Sequence, residues 1–414
     1  MASGTALAQA ITVLASPVLT RLYSPEAFGL FATFVALVSS LTPAATGKYE
    51  VALMLPPTER AATELYSLAV WFCAVLCACL LVVTWILHAN EAAALTASGL
   101  GGWIFVIPIT VLCVGLFNLT GYVANRRSQY KVIARSLMIQ SAAAVGINIV
   151  LGLIGAKFAG LIIGNIGGLV LSLVYLLFSQ RDFVRKVTMS WSARKRALAL
   201  RYKDFPVYNA STGILDGLTT NLPVFFMIAF FSPEIVGFYA LVIRVLNAPV
   251  KFISASVSRV NLKKVVDLVN NGERVERYMM QAAAGLLAIS LPPTIIFIFW
   301  GPQIFSFVFG EEWMQAGQIS QVLAFALATK FVSSTLSSTL AATNNNKYGA
   351  LWRIVAFTST AIVLGLAARA GSIDYFILAL VINEIAIYLF YFYLIILAAR
   401  NPRNNERVRN SRNT

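Results

Sequence analysis

Charge is what this sequence has least of. Lys, Arg, Asp and Glu make up 12% of its 414 residues, about half of the roughly 25% in a soluble domain. So few charges cannot coat a water-facing surface. With 58% hydrophobic residues and a mean hydropathy of +0.76, the chain reads as a polytopic membrane protein whose solvent is mostly lipid. Histidine occurs once, at His88, and the four cysteines (Cys73, Cys77, Cys79, Cys113) all lie in apolar runs. Cys73 and Cys77 stand one helical turn apart, but no second cluster completes a zinc site. They read as small apolar helix residues, with no disulfide framework and no metal implied. There is no Gly-x-x-x-x-Gly-Lys-Ser/Thr loop, which argues against an ATP motor on this chain, and no catalytic motif, which argues against an enzyme. No Lys or Arg precedes Arg21. The apolar stretch Thr5 to Leu19 therefore lacks the basic region of a secretory signal, although Ala8-Gln9-Ala10 imitates a cleavage site, and it reads as a first transmembrane helix.

What is present is a series of apolar runs, each near the roughly 20 residues needed to cross hydrocarbon. They predict about twelve spans, at 4–22, 28–46, 64–87, 103–124, 136–154, 158–178, 207–231, 236–256, 281–300, 318–341, 350–369 and 373–397. Those at 207–231 and 318–341 carry several Ser, Thr or Asn residues, which suits helices facing a bundle interior or a wet cavity. Placing both termini in the cytoplasm puts Lys48 and Arg60, the group Arg126 to Arg135, the loop 180–205, Arg259 to Arg277, Lys347, Arg353 and the tail arginines on one side. Only Arg21, Lys157 and Arg369 fall on the other. This is the positive-inside pattern. It accounts for the net charge of +15 without nucleic acid as a partner. The basic loop and tail are also placed to touch anionic headgroups.

The chain repeats itself. Ser24-Pro25-Glu26-Ala27-Phe28-Gly29-Leu30-Phe31-Ala32 recurs as Ser232-Pro233-Glu234-Ile235-Val236-Gly237-Phe238-Tyr239-Ala240 at an offset of 208. Ile149 to Leu153 recurs as Ile362 to Leu366 at 213, and Tyr130 and Arg135 match Tyr348 and Arg353 at 218. Each Ser-Pro-Glu element has the chemistry of a helix start: a Ser cap, Pro at the first position, and Glu near the positive end of the dipole. Two six-helix halves insert the same way up and are related by an axis along the membrane normal. The expected division is an N-lobe over 1–180, a basic cytoplasmic linker over 181–205, a C-lobe over 206–399 and a basic tail over 400–414. Gly164-Asn165-Ile166-Gly167-Gly168 follows no strand and reads as helix packing through small residues.

Ionisable residues inside spans are functional candidates because each is costly in hydrocarbon. They are Asp216, Arg244 and Lys251 (seven residues apart, on one helical face), Lys330 and Glu384, with Lys48 and Glu50 flanking Tyr49 where the second span leaves the membrane. One reading puts Arg244, Lys251, Lys330 and Lys48 around a cationic cavity for an anionic substrate, with Asp216, Glu384 and Glu50 as counter-ions or coupling groups. The other has these charges pair for packing, snorkel to the interface, or anchor it, as Lys48-Tyr49-Glu50 would. No organic cofactor is expected; a coupling ion, H+ or Na+, is the candidate.

Leu22-Tyr23-Ser24-Pro25-Glu26-x-Phe28-Gly29 and Lys48-Tyr49-Glu50-x-Ala52-Leu53-Met54-Leu55-Pro56 resemble the opening of bacterial polysaccharide transporters. These are the Wzx-type O-antigen and exopolysaccharide flippases of the multidrug/oligosaccharidyl-lipid/polysaccharide exporter superfamily. Ser232-Pro233-Glu234-x-x-Gly237-Phe238-Tyr239, followed by Arg244 and Pro249, is similar to the family pattern in the second half. The resemblance implies an all-α, two-lobed carrier in the bacterial inner membrane. By alternating access it would move an oligosaccharide on undecaprenyl pyrophosphate from the cytoplasmic to the periplasmic leaflet. Its partners would be that lipid-linked substrate, membrane lipids, a polysaccharide polymerase and a chain-length regulator. Alternatives are a cation-coupled small-molecule exporter of the same superfamily and a non-transporting scaffold.

Overall fold

The structure, a computed structural model, describes residues 2–90, 99–188 and 190–400, and all side chains within them except those of residues 2, 3, 5, 249, 251, 252 and 255. Among the described residues there is no strand. Ten helical segments are long and apolar enough to cross a membrane, and Ala6–Leu22 is a shorter apolar one. The expected eighth span lies in the 39-residue helix Pro233–Asn271. Lipid as solvent is also visible in what the fold leaves outside: Trp85 is 65%, Phe178 72% and Phe307 85% exposed.

The first span is two helices, not the single one expected from 4–22. α1 (Ala2–Leu14) stops and α2 (Ser16–Leu22) restarts with Pro17 in its first turn, because proline has no N–H to continue the ladder. α3 (Pro25–Ala45) is capped by Ser24, whose Oγ accepts from the Ala27 N–H at 3.3 Å. The short α4 (Tyr49–Ala52) and the long α5 (Glu59–Ala89, capped by Thr58) follow. Next come α6 (Val106–Arg126), α7 (Tyr130–Leu153) and α8 (Lys157–Ser179). The basic linker is helical in part, with α9 (Arg181–Val184) and α10 (Ala193–Arg201). A π-helical turn, Phe205–Ala210, leads into α11 (Ser211–Phe230), and α12 spans Pro233–Asn271. α13 (Val275–Phe309) contains Pro292, Pro293 and Pro302, each of which costs it a backbone hydrogen bond. α14 (Met314–Leu336), α15 (Ser338–Ala342), α16 (Asn346–Arg369) and α17 (Ile373–Arg400) complete the chain.

The helices gather into two compact units, Met1–Ala240 and Leu241–Thr414. In the first, α7 and α8 pair through small residues as expected from the glycine run. A Cβ on Gly164 would strike the Asn148 amide, and one on Gly168 would lie 2.8 Å from Ala144 Cβ. Tyr23, just past α2, packs against Gly152 and Gly160 and donates its hydroxyl to the Asn148 carbonyl at 2.7 Å. α11 lies along α3, so it groups with the first unit. In the second unit a core joins Val265 of α12, Met279 of α13, Leu336 of α14 and Ile395 of α17.

The duplicated helix starts meet each other. A Cβ on Gly29 would collide with the Pro233 carbonyl and stand 3.0 Å from the Gly237 nitrogen. One on Gly237 would collide with the Pro25 carbonyl and stand 3.1 Å from the Gly29 nitrogen. The two copies of the repeat thus form one reciprocal contact in which each glycine makes room for the other copy's proline. Gly29→Ala and Gly237→Ala should each lower the melting temperature of the purified protein, since overpacking of this kind costs about 1–3 kcal/mol. The double variant should lose less than the sum, because one side chain already forces the backbones apart. Strictly additive losses would show that the glycines do not share a contact.

Candidate functional site

In the first unit α3 ends at Ala45 and the chain turns through Gly47 and Lys48, both left-handed at φ 58° and 59°. The left-handed backbone turns Lys48 back toward its own segment. Its Nζ stands 3.7 Å from Glu50 Oε1, and Thr46 Oγ1 donates to Glu50 as well. Glu50 is 5% exposed, so the pair is a fixed element. Arg126 holds the next turn, donating to the carbonyls of Leu53 at 2.8 Å and Pro56 at 2.5 Å. Above Lys48 runs a seam of small residues between α3 and α11. A Cβ on Gly213 would lie 2.8 Å from Pro43 Cβ and 3.3 Å from Lys48 Cε, and one on Gly217 would lie 3.0 Å from Ser40 Cα. Asn221 Nδ2 donates across the seam to Ser39 Oγ at 3.0 Å and Ser40 Oγ at 3.1 Å. These contacts give the polar content of the seventh span a partner, as hydrocarbon requires. Asp216 sits beside Gly217, half-buried and engaged by other groups.

In the second unit Lys330 and Glu384 come together. Lys330 of α14 lies over the Tyr388 ring, 5.5 Å from its centroid. It is hydrogen-bonded with Tyr388 and electrostatically coupled to Glu384, one turn earlier on α17. Ser333, one turn from Lys330, donates to the Tyr388 carbonyl at 2.8 Å. Asn383 receives a hydrogen bond from Ser359 Oγ at 2.5 Å and donates to Thr360 Oγ1 at 3.1 Å. Trp352 of α16 stacks on Tyr391 at 4.3 Å. Within this cage Glu384 Oε2 is buried and accepts no hydrogen bond among the described residues. An ammonium, a phenol and a carboxylate oxygen with spare capacity can exchange a proton, hold a cation, or release the ammonium to an incoming anion.

An apolar groove with a cavity volume of about 80 Å³ lies between α12, α13 and α14. It is lined by Leu246, Ile289, Pro293, Phe297, Leu327 and Phe331. Leu327 and Phe331 flank Lys330 in sequence, so one helix carries both the groove wall and the cation. Arg244 is half-buried on α12, two residues before the groove residue Leu246, and is engaged by other groups. The Lys251 side chain lies outside the described residues, as do the tail arginines beyond residue 400.

Of the residues singled out from sequence, the structure brings Lys330 together with Glu384, and Lys48 together with Glu50. Sequence reasoning missed Tyr388, Trp352 and the Asn383 network. The signal available was periodicity: Glu384, Tyr388 and Tyr391 recur at four and three residues on one face of the last span. Arg126 was read only as a topology signal.

With this geometry in view, comparison with known proteins is informative. A family model described as "Polysaccharide biosynthesis protein" matches residues 18–318. No curated protein matches the chain. Among solved structures, the chain is similar to the lipid II flippase MurJ in an inward closed conformation (TM-score 0.75, 14% identity, covering 94% of this chain and 86% of that one). It is also similar to an inward-facing multidrug resistance MATE family transporter (0.62, 15%, 98% and 96%). A third likeness is a transporter of the same superfamily from Pyrococcus furiosus (0.53, 13%, 100% and 96%). At these identities the likeness is one of fold: the all-α, multi-pass, two-lobed architecture that those proteins have.

The Lys330 cluster makes a direct prediction. Lys330→Met should destabilise the protein by about 3 kcal/mol, because it leaves the Glu384 charge uncompensated. Glu384→Gln in the same chain should restore most of the loss in a thermal melt. If the double variant melts no higher than Lys330→Met alone, the two groups are not coupled.

Proposed function

The chain belongs to the polysaccharide biosynthesis protein family, and from that premise we propose that it carries a lipid-linked oligosaccharide across the bacterial inner membrane. The substrate class is an undecaprenyl-pyrophosphate-linked unit, moved from the cytoplasmic to the periplasmic leaflet for surface polysaccharide assembly such as O-antigen or exopolysaccharide. The observation that carries the reading is the pairing, on α14, of an apolar groove with a half-buried lysine. A polyprenyl chain needs an apolar path, and a pyrophosphate needs a cation that can leave its resting partners. Lys330 rests on Glu384 and Tyr388, so an arriving phosphate competes for it by charge-assisted hydrogen bonds. Arg244 and Lys251 on α12 are the further cationic candidates of the second unit, and Lys48 is the candidate of the first.

Transport by alternating access needs a source of energy, and the sequence holds no nucleotide loop. The spare oxygen of Glu384 supports an ion-coupled cycle in which H+ or Na+ takes the place of Lys330 as the counter-charge when the ammonium turns to the substrate. Asp216 is the second coupling candidate. An ion-coupled small-molecule exporter would share this feature, and the groove favours the lipid substrate over it. Both termini face the cytoplasm in this reading, with the polymerase and chain-length regulator as partners on the periplasmic side.

Expression in a strain lacking its own polysaccharide flippase should restore surface glycan. Lys330→Ala combined with Glu384→Gln, which keeps the cage neutral, should reduce transport roughly 10- to 100-fold at unchanged membrane abundance, the loss of one charged hydrogen bond. Leu327→Trp, which fills the groove, should do the same without touching a charge. Lipid-linked precursor on the inner leaflet, measured by glycan labelling, reads both. Full transport by the groove-filled protein would sink the lipid substrate and leave the exporter reading standing.

A further inference from the structure

Transport leaves one buried charge unused. Lys195, on α10 in the basic linker, is fully buried. Its three ammonium protons are all spent: Nζ donates to Ser67 Oγ at 2.7 Å, to the Thr188 carbonyl at 2.5 Å and to the Ser190 carbonyl at 2.7 Å. Burial pulls its pKa below the ordinary lysine value, and the Glu64 carboxylate offsets part of that. A lysine saturated by oxygen acceptors has no capacity left for a ligand. It is a fastener, pinning the linker to α5.

Other contacts hold the same face. Phe183, Leu198 and Tyr202 are buried in a core with Leu65, Tyr66 and Leu68 of α5, the Tyr66 and Phe183 rings meeting edge-on at 5.5 Å. Arg127 and Lys186 pair with Glu59, the latter at 3.5 Å, and Arg194 pairs with Glu64 at 3.4 Å. With that face occupied, the opposite one is fixed in direction. It presents Arg181, Arg185, Arg196, Arg201 and Lys203, all exposed, interleaved with Trp191 and Leu200, each 63% exposed. Residues 181–204 hold eight Lys or Arg against two Asp.

Solvated charge alone would explain the cations, and positive-inside topology would too. Neither explains a tryptophan and a leucine held outward among them by a built anchor. Cations with tryptophan on the exposed face of a short helix match the headgroup layer, where an indole and a guanidinium are both well solvated. We infer that residues 181–188 and 190–204 form an interfacial strap, fastened to the first unit by Lys195, whose outward face binds the anionic phospholipid headgroups of the adjoining leaflet. This rests on the membrane topology of the proposed function and not on its substrate.

Hydrogen exchange on the full-length protein in nanodiscs tests it without any transport step. Amides of 193–201 should exchange at least about fivefold more slowly in phosphatidylglycerol than in phosphatidylcholine, the effect expected of a single basic residue at an anionic surface. The difference should shrink in 1 M salt, where the screening length falls to about 3 Å. The triple variant Arg196→Gln, Arg201→Gln, Lys203→Gln should lose the phosphatidylglycerol effect yet keep the wild-type rate in phosphatidylcholine, since its docked face is intact. Lys195→Met should exchange faster in both lipids. Equal rates in the two lipids, or a triple variant that still responds to phosphatidylglycerol, would overturn the proposal. So would inorganic pyrophosphate slowing exchange in phosphatidylcholine as much as phosphatidylglycerol does, because the face would then be reading a soluble phosphate and not a bilayer.

Discussion

Between helices bathed in hydrocarbon there is no hydrophobic drive, because lipid tails are as apolar as the side chains they would release. Association then depends on how closely backbones approach and on hydrogen bonds that lipid cannot supply. This chain meets the first requirement with glycine at its tightest crossings. Gly164 and Gly168 bring α7 to α8, Gly213 and Gly217 bring α11 to α3, and Gly29 and Gly237 bring the duplicated helix starts together. Gly301 and Gly317 do the same between α13 and α14, a Cβ on Gly317 meeting the backbone of Gly301 and Pro302. Remove the glycines and the polar contacts beside them lose their geometry. Asn221 reaches Ser39 and Ser40 because Gly217 lets the two helices nearly touch.

The second requirement sorts the charges. A protein with so few of them can give each a defined setting, and the settings differ in kind. Arg126 is tied to two carbonyls of a turn, and Lys195 to one hydroxyl and two carbonyls. Both cations are neutralised by oxygen dipoles and fixed in place. Lys48 and Glu50 neutralise each other at a helix break. Lys330 rests against a phenol and a carboxylate, and that carboxylate retains an unfilled acceptor. Of these four settings, the last is the one that can change partners without leaving a bare charge in the membrane, which is why the proposed transport cycle is assigned to it.

Much of the fold was legible because lipid makes hydropathy nearly sufficient: a run of twenty apolar residues has one stable conformation in a bilayer. All twelve spans fall on helices for that reason. The break at Ala15 was missed because a proline in the first turn of a helix leaves hydropathy unchanged and alters only the ladder. The repeat announced its symmetry but not its contact. Ser, Pro and Glu explain a helix start by local chemistry, whereas the glycine four residues on is explained only by the other copy. The candidate site was legible by its charges and not by its cage. Tyr388, Trp352 and Asn383 are ordinary residues for a membrane helix, and what distinguishes them is which neighbours α14 and α16 offer to α17.

That difference bears on what kind of substrate the second unit suits. A binding site for a soluble anion would gather several cations and keep them wet. Here one ammonium is held in a largely buried cage, and the helix that carries it turns Leu327 and Phe331 toward a groove with almost no polar lining. The proposed lipid-linked substrate is divided in the same way, apolar along most of its length and anionic at one end. Pro292 and Pro293 deprive α13 of consecutive backbone donors beside the wall that Pro293 and Phe297 form.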